Sequence, residues 1–187
     1  MKKYLFLFLS FMIVVAGCNS STGSTSGSEE KSTSEEGAIT KNEEEILIGP
    51  ISESALREAP HAEWYNKTYN TYPPNPTMME FLKEHISDVE IRVFMGTWCE
   101  DSHLYVPMLF RILKEAEYPS ERVKMVAVDR DKVEPKSELE GYNIEFVPTI
   151  IFYRNSEEIG RIVEQPRNEG LEEDVIEIVT AYLEEEE

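Results

Sequence analysis

Between Val123 and Asp129 the chain reads VKMVAVD. A short, nearly continuous apolar run of this kind fits a strand buried on both faces, the usual state of a strand in a parallel sheet. Parallel strands cannot be joined by a tight turn; they need a crossover of a dozen or more residues, most often a helix. The chain carries both the partner and the crossover just upstream. In VEIRVFM, residues 89–95, Val89, Ile91, Val93 and Met95 alternate with other side chains, which predicts a strand. From about Cys99 to Ala116, Leu104, Met108, Ile112 and Leu113 recur at helical spacing, which predicts a helix with that face buried. Pro107 lies inside this helix and is expected to kink it.

Downstream, PTIIFYR (148–154) reads as a further strand, and EEIGRIVE (157–164) pairs with it in a hairpin across Asn155 and Ser156. Leu171, Val175, Ile178, Val179 and Tyr182 then repeat at helical spacing, as do Met78, Phe81, Leu82 and Ile86 in PTMMEFLKEHIS, ahead of the first strand. A β-α-β unit followed by a β-β-α unit makes an α/β fold, with a central mixed sheet flanked by helices on both faces. This domain is expected over residues 76–187. Residues 46–75 are expected to form an N-terminal helical and irregular extension packed on it. In that extension IGPISESALREAP predicts a short helix starting near Ser52 or Ser54 and ended by Pro60. HAEWYNKTYNTYPPNP reads as irregular chain whose Trp64, Tyr65, Tyr69 and Tyr72 pack against the domain, with a lid over a site as the alternative.

A chain of 187 residues, 41% hydrophobic, can bury one domain of ordinary size with extras. Its net charge of -19 argues against a nucleic-acid partner, because phosphates need Lys and Arg to neutralise them. The acidity reads as a solvated surface, and the run Glu184 to Glu187 as a frayed tail. Two cysteines, Cys18 and Cys99, are too few for a disulfide framework, so each needs its own account.

The chain opens with Lys2 and Lys3, then runs apolar from Tyr4 to Val15. Only 14 residues separate Lys3 from Cys18, short of the roughly 20 that cross a bilayer as a helix, so the segment reads as a secretory signal. It ends VAGC and resembles a bacterial lipoprotein signal. That resemblance implies removal of residues 1–17 and attachment of lipid, palmitate included, to the sulfur of Cys18. The alternative is an ordinary secreted protein with a chance cysteine. Lipidation makes the net charge -21, since Lys2 and Lys3 leave. It also leaves Cys99 as the free thiol and anchors the chain by several acyl chains in the bacterial envelope. The expected location is extracytoplasmic, at the periplasmic face or the outer membrane, where conditions are oxidising. Residues 18–45 continue with Ser, Thr, Gly and Glu and almost nothing apolar; such a segment is a flexible, acidic, disordered tether.

Chemistry concentrates in FMGTWCEDSHLYVP, residues 94–107. The thiolate is the reactive form of cysteine, and a helix start favours an anion. Ser102 is placed to donate its hydroxyl to the Cys99 sulfur. Glu100 and Asp101 act the other way, as like charges beside a thiolate. His103 supplies compensating positive charge if it folds back, but on a helix it is expected to be a solvent-exposed surface residue. Metal capture by Cys99, Asp101 and His103 mixes soft and hard ligands on diverging side chains, so neither a metal nor a cofactor is expected.

In order along the chain these features resemble the thioredoxin family. TWCEDS stands where the family has a tryptophan followed by Cys-x-x-Cys, after the first central strand. Pro107 lies where the family helix has its proline. VAVDRD resembles the next core strand and its acidic end. YNIEFVPTIIFYR resembles the segment leading through a cis-proline and a threonine into a strand, with Val147–Pro148 as the cis bond. Gly160 in the last strand fits less specifically. The chain departs from the family twice: Ser102 replaces the resolving cysteine, and Val93 stands where the family buries an acid. The resemblance implies a monothiol oxidoreductase or isomerase, serving cell redox homeostasis, in which Cys99 forms mixed disulfides with protein thiols or glutathione and an external thiol resolves them. Trp98, Val147, Pro148 and Thr149 are the implied substrate groove. The rival reading is a non-catalytic binding module on the same scaffold.

Overall fold

The computed structural model describes residues 40–41 and 46–185. All of them fall in one compact unit, Glu35–Glu187. The expected signal, the lipidated Cys18 and most of the tether lie outside the described residues. Six strands are described: β1 (Thr40–Lys41), β2 (Leu47–Ile51), β3 (Glu90–Met95), β4 (Val123–Ala127), β5 (Thr149–Arg154) and β6 (Glu157–Val163). They form a sheet in the order β1-β2-β4-β3-β5-β6. Only β3 and β4 run parallel, with Val93 opposite Met125; every other pairing is antiparallel. The expected mixed α/β sheet is therefore present, with β2 as a strand that the sequence did not announce. The β5–β6 hairpin turns through Asn155 (φ 52°) and Ser156 (φ 68°), the two left-handed residues that a type I′ turn requires.

The helices are α1 (Glu53–Leu56), α2 (Ala62–Thr71), α3 (Pro76–His85), α4 (Glu100–Glu115), α5 (Lys136–Leu139) and α6 (Leu171–Glu185). Asn75 caps α3 by accepting from the N–H groups of Thr77 (3.0 Å) and Met78 (3.4 Å), and Pro76 fills the first helical position, where no N–H partner is needed. In α4, Glu100 and Asp101 sit in the first turn, where the helix dipole favours negative charge, and the helix runs on through Pro107. α6 extends to Glu185, into the acidic run expected to fray.

The sheet's two faces are covered unequally. Ile91, Val93 and Met95 of β3 join Met125, Ile150 and Phe152 in one large core beneath α2, α3, α4 and α6, with Tyr65, Leu82, Leu109, Ile112 and Val175 buried in it. On the other face Phe94, Val126, Val128, Val147 and Ile151 form a smaller core, against which Trp98, Cys99 and Tyr142 pack. The helix of that side is the four-residue α5. The thiol thus sits at the end of the sheet beside the smaller core.

Three local expectations need correction. The short helix of the extension starts after Ser52, as expected, but ends at Leu56 rather than Pro60, and the chain just ahead of it is a strand, paired with β4 through Gly49–Ala127 and Ile51–Met125. HAEWYNKTYNT is not irregular. Residues 62–71 form α2, with Tyr65 fully buried against α4. Leu104 does not mark the buried face of α4, being 39% exposed; Ile112 and Leu113 face inward as expected, joined by Ser102, Val106, Leu109 and Phe110.

Candidate functional site

β3 delivers the chain into a tight turn, Gly96 to Cys99, which α4 follows. Each residue of the turn is braced. The Cys99 N–H donates to the Gly96 carbonyl at 3.0 Å. The Gly96 N–H donates to Ser102 Oγ at 3.2 Å. Thr97 Oγ1 accepts from the Leu47 N–H at 3.1 Å, and the Thr97 carbonyl accepts from His103 Nε2 at 2.7 Å. The Trp98 indole N–H donates to the Val128 carbonyl at 2.9 Å. Gly96 is required by a close approach: a Cβ there would lie 2.6 Å from the Trp98 indole.

Cys99 occupies the N-cap position of α4 with an extended backbone, half-buried. Its Sγ donates to the Val147 carbonyl at 3.1 Å. The Val147–Pro148 peptide is cis. Val147, Pro148 and Thr149 are all buried, so this segment forms the wall against which the thiol rests. The Pro148 carbonyl accepts from the Glu164 N–H at 2.8 Å, and Thr149 Oγ1 donates to the Phe146 carbonyl at 2.8 Å. Phe146, next along the chain, is 49% exposed.

The structure brings Cys99, Trp98 and Val147 into one apolar cluster. It takes Ser102 elsewhere than expected: its oxygen, fully buried, accepts from the main chain of the turn. His103 is not a solvent-exposed residue. It is half-buried, its ring stacked on Trp64 with centroids 4.1 Å apart and planes 16° from parallel. Beside it a groove of about 510 Å³ runs between α2 and α4, and Leu104 and Met108 open onto it. Among the described residues no group of three or more His, Cys, Asp or Glu is placed to hold a metal.

Two cations were not anticipated. Arg130 and Lys132 stand over the Trp98 ring at 5.5 and 5.9 Å, a favourable placement for positive charge on an indole face. Their loop is folded around Asp129 Oδ1, which accepts from the N–H groups of Val133 (2.8 Å) and Glu134 (2.9 Å). The sequence offers only the acid after β4 as a signal; that the next turn would fold back onto Trp98 depends on tertiary structure. Val93 is fully buried among apolar side chains of the large core.

A strand, a thiol at the start of the following helix and a cis-proline segment facing that thiol define a thioredoxin-like protein. Residues 77–177, more than half the chain, match the family model described as Thioredoxin, and the chain belongs to that family. Residues 1–19 match the prokaryotic membrane lipoprotein lipid attachment site. The chain is therefore a lipid-anchored thioredoxin-family protein of the bacterial envelope. No curated protein matches it. Among solved structures, similar chains include thioredoxin from Fasciola hepatica, at 19% identity over 55% of this chain and 88% of that one, with a TM-score of 0.36. Mitochondrial thioredoxin 3 from Saccharomyces cerevisiae shares 18% identity over 61% of this chain and 98% of its own, with a TM-score of 0.36. A protein of unknown function from Pseudomonas aeruginosa shares 18% identity over 66% and 74%, with a TM-score of 0.40.

Proposed function

We propose that this protein carries out thiol–disulfide exchange outside the cytoplasm through one thiol, Cys99. The observation that supports the reading best is the seating of Cys99 Sγ, half-buried at a helix start and 3.1 Å from the main chain of the Val147–Pro148 segment. Trp98 flanks the sulfur, and Val147, Pro148 and Thr149 form the surface along which a substrate disulfide lies. The Cys99 thiolate attacks one sulfur of that disulfide. A Cys99–substrate bond forms, the substrate bond breaks, and the second sulfur leaves as a thiolate. Since Ser102 cannot resolve the complex, a thiol from the substrate, from glutathione or from a partner protein attacks next. It forms the new disulfide and releases Cys99 as a thiolate. Ser102 serves this cycle by holding the Gly96 end of the turn. The residues between the lipidated Cys18 and Thr40, which already pairs in the sheet, act as a spacer to the folded part.

The second reading, a non-catalytic binding module, draws on the same bond: Ser102 and Cys99 are then two small residues at a tight turn, each bonded to main chain. One experiment separates the two. The full-length lipidated chain in detergent is incubated with glutathione disulfide, and mass spectrometry follows Cys99. A mixed disulfide at Cys99, released by added thiol and absent in Cys99→Ser, is the expected result. A chain whose Cys99 alkylates readily but forms no mixed disulfide sinks the exchange reading in favour of the binding module. Labelling of Cys99 in intact cells by a membrane-impermeant maleimide tests the extracytoplasmic location.

A further inference from the structure

The family match begins at residue 77, yet two contacts on the thiol turn come from chain ahead of it. Trp64, on α2, lies flat against the His103 ring. The Leu47 N–H, at the start of β2, donates to Thr97 Oγ1 across a buried contact. The two meet at one residue, because the His103 side chain bonds the Thr97 carbonyl at 2.7 Å. A carbonyl only accepts, so Nε2 carries the proton. Thr97 is buried, and its carbonyl lies two residues before Cys99, inside the turn that presents the sulfur.

An imidazole on a helix surface has several rotamers open to it, and only one reaches back to Thr97. The stack with Trp64 selects that one. A stacked aromatic pair stabilises beyond the area it buries, and the hydrogen bond adds a modest net gain. Neither is large, but both act on the same short turn. From this geometry we infer that the segment ahead of the family domain completes the thiol turn, and that His103 is a positioning residue for Cys99, held by Trp64 and acting through the Thr97 carbonyl. Its consequence for turnover rests on the thiol-exchange reading; the clamp itself does not.

The test uses the full-length chain in detergent and reads amide hydrogen exchange at Cys99, with the Ile178 amide on α6 as a remote reference. His103→Phe keeps a ring for Trp64 but cannot donate to Thr97. It speeds exchange at Cys99 by about tenfold and leaves Ile178 unchanged, the size expected for one lost hydrogen bond acting locally. His103→Gln, whose amide N–H reaches the same carbonyl, restores most of the protection. Trp64→Leu matches His103→Phe, and Trp64→Phe stays near wild type. The rate of mixed-disulfide formation with 2-hydroxyethyl disulfide falls in step with the loss of protection. Equal exchange at Cys99 in wild type and His103→Phe overturns the inference, as does a His103→Gln no better than His103→Phe. Should Trp64→Leu fail to fold, the two His103 variants decide alone. A wild type that forms no mixed disulfide defeats the exchange reading only; Cys99 amide protection still decides the clamp.

Discussion

Ser102 Oγ accepts the Gly96 N–H at 3.2 Å, and both residues are buried. The hydroxyl therefore satisfies a main-chain donor that has no access to water. Ser102→Ala removes the acceptor and leaves that donor unpaired, a loss of about 1–3 kcal/mol. The urea midpoint of the variant should fall accordingly, with an unchanged slope. A midpoint equal to wild type would mean that the turn relaxes to find another partner for Gly96.

The same position tests how the proposed exchange would close. On that reading a complex on Cys99 persists until an external thiol arrives, because residue 102 carries no thiol. Ser102→Cys puts a thiol three residues along, in the Cys-x-x-Cys spacing. Trapped complexes on Cys99 should then drop by about tenfold when no thiol is added, because release becomes intramolecular. Non-reducing gels of membrane extracts measure this directly. An undiminished complex would show that residue 102 does not reach Cys99.

How far the sequence could foretell this structure depends on where each signal is encoded. β3, β4 and β5 were legible because their pattern is local: alternation in β3, and near-continuous apolar runs in β4 and β5, which the sheet covers on both sides. α2 was not, because its apolar residues are aromatics followed by Pro73 and Pro74, a composition that reads as irregular chain; Tyr65 becomes helical by packing on Phe110 of α4. Leu104 misleads for a related reason: it keeps the helical period but lies on the side of α4 that borders the groove with α2. At the site, Cys99 and Pro148 were identified by motif, whereas the contacts of His103 with Trp64 and of Trp98 with Arg130 join segments that no local pattern connects.

Alkaline pH should destabilise the fold through two phenols. Tyr65 is fully buried and donates to Glu53 Oε1 at 2.7 Å; burial first, then that bond, raise its pKa well above the usual phenol range. Tyr72 is raised in the same way, by burial and then by its hydrogen bond to Glu172. In the unfolded chain both would ionise near pH 10. Stability from the raised groups is thus fully present below about pH 10 and is lost as pH rises above it, by about 1.4 kcal/mol per pH unit for each phenol. Urea midpoints between pH 8 and about 11.5 should decline steeply in wild type and less steeply in Tyr65→Phe. Parallel curves for the two proteins would remove Tyr65 from the explanation.

Gly160 faces α6 from the last strand, and its reason is spatial. A Cβ there would lie 2.9 Å from both Cγ1 and Cγ2 of Ile178, a distance that real Cβ atoms do not hold. Those atoms belong to the branched, nearly rigid part of the side chain, so the neighbour cannot simply swing away. Gly160→Ala should therefore cost about 1–3 kcal/mol, as overpacking does elsewhere. Ile178→Ala alone opens a cavity in the large core and should cost about 2–5 kcal/mol. Combined, the two changes should cost less than their sum, since the small side chain at 178 makes room for the methyl group at 160. A double-mutant cycle from urea denaturation gives the coupling, and strict additivity would show that α6 shifts on the sheet to accommodate the new Cβ.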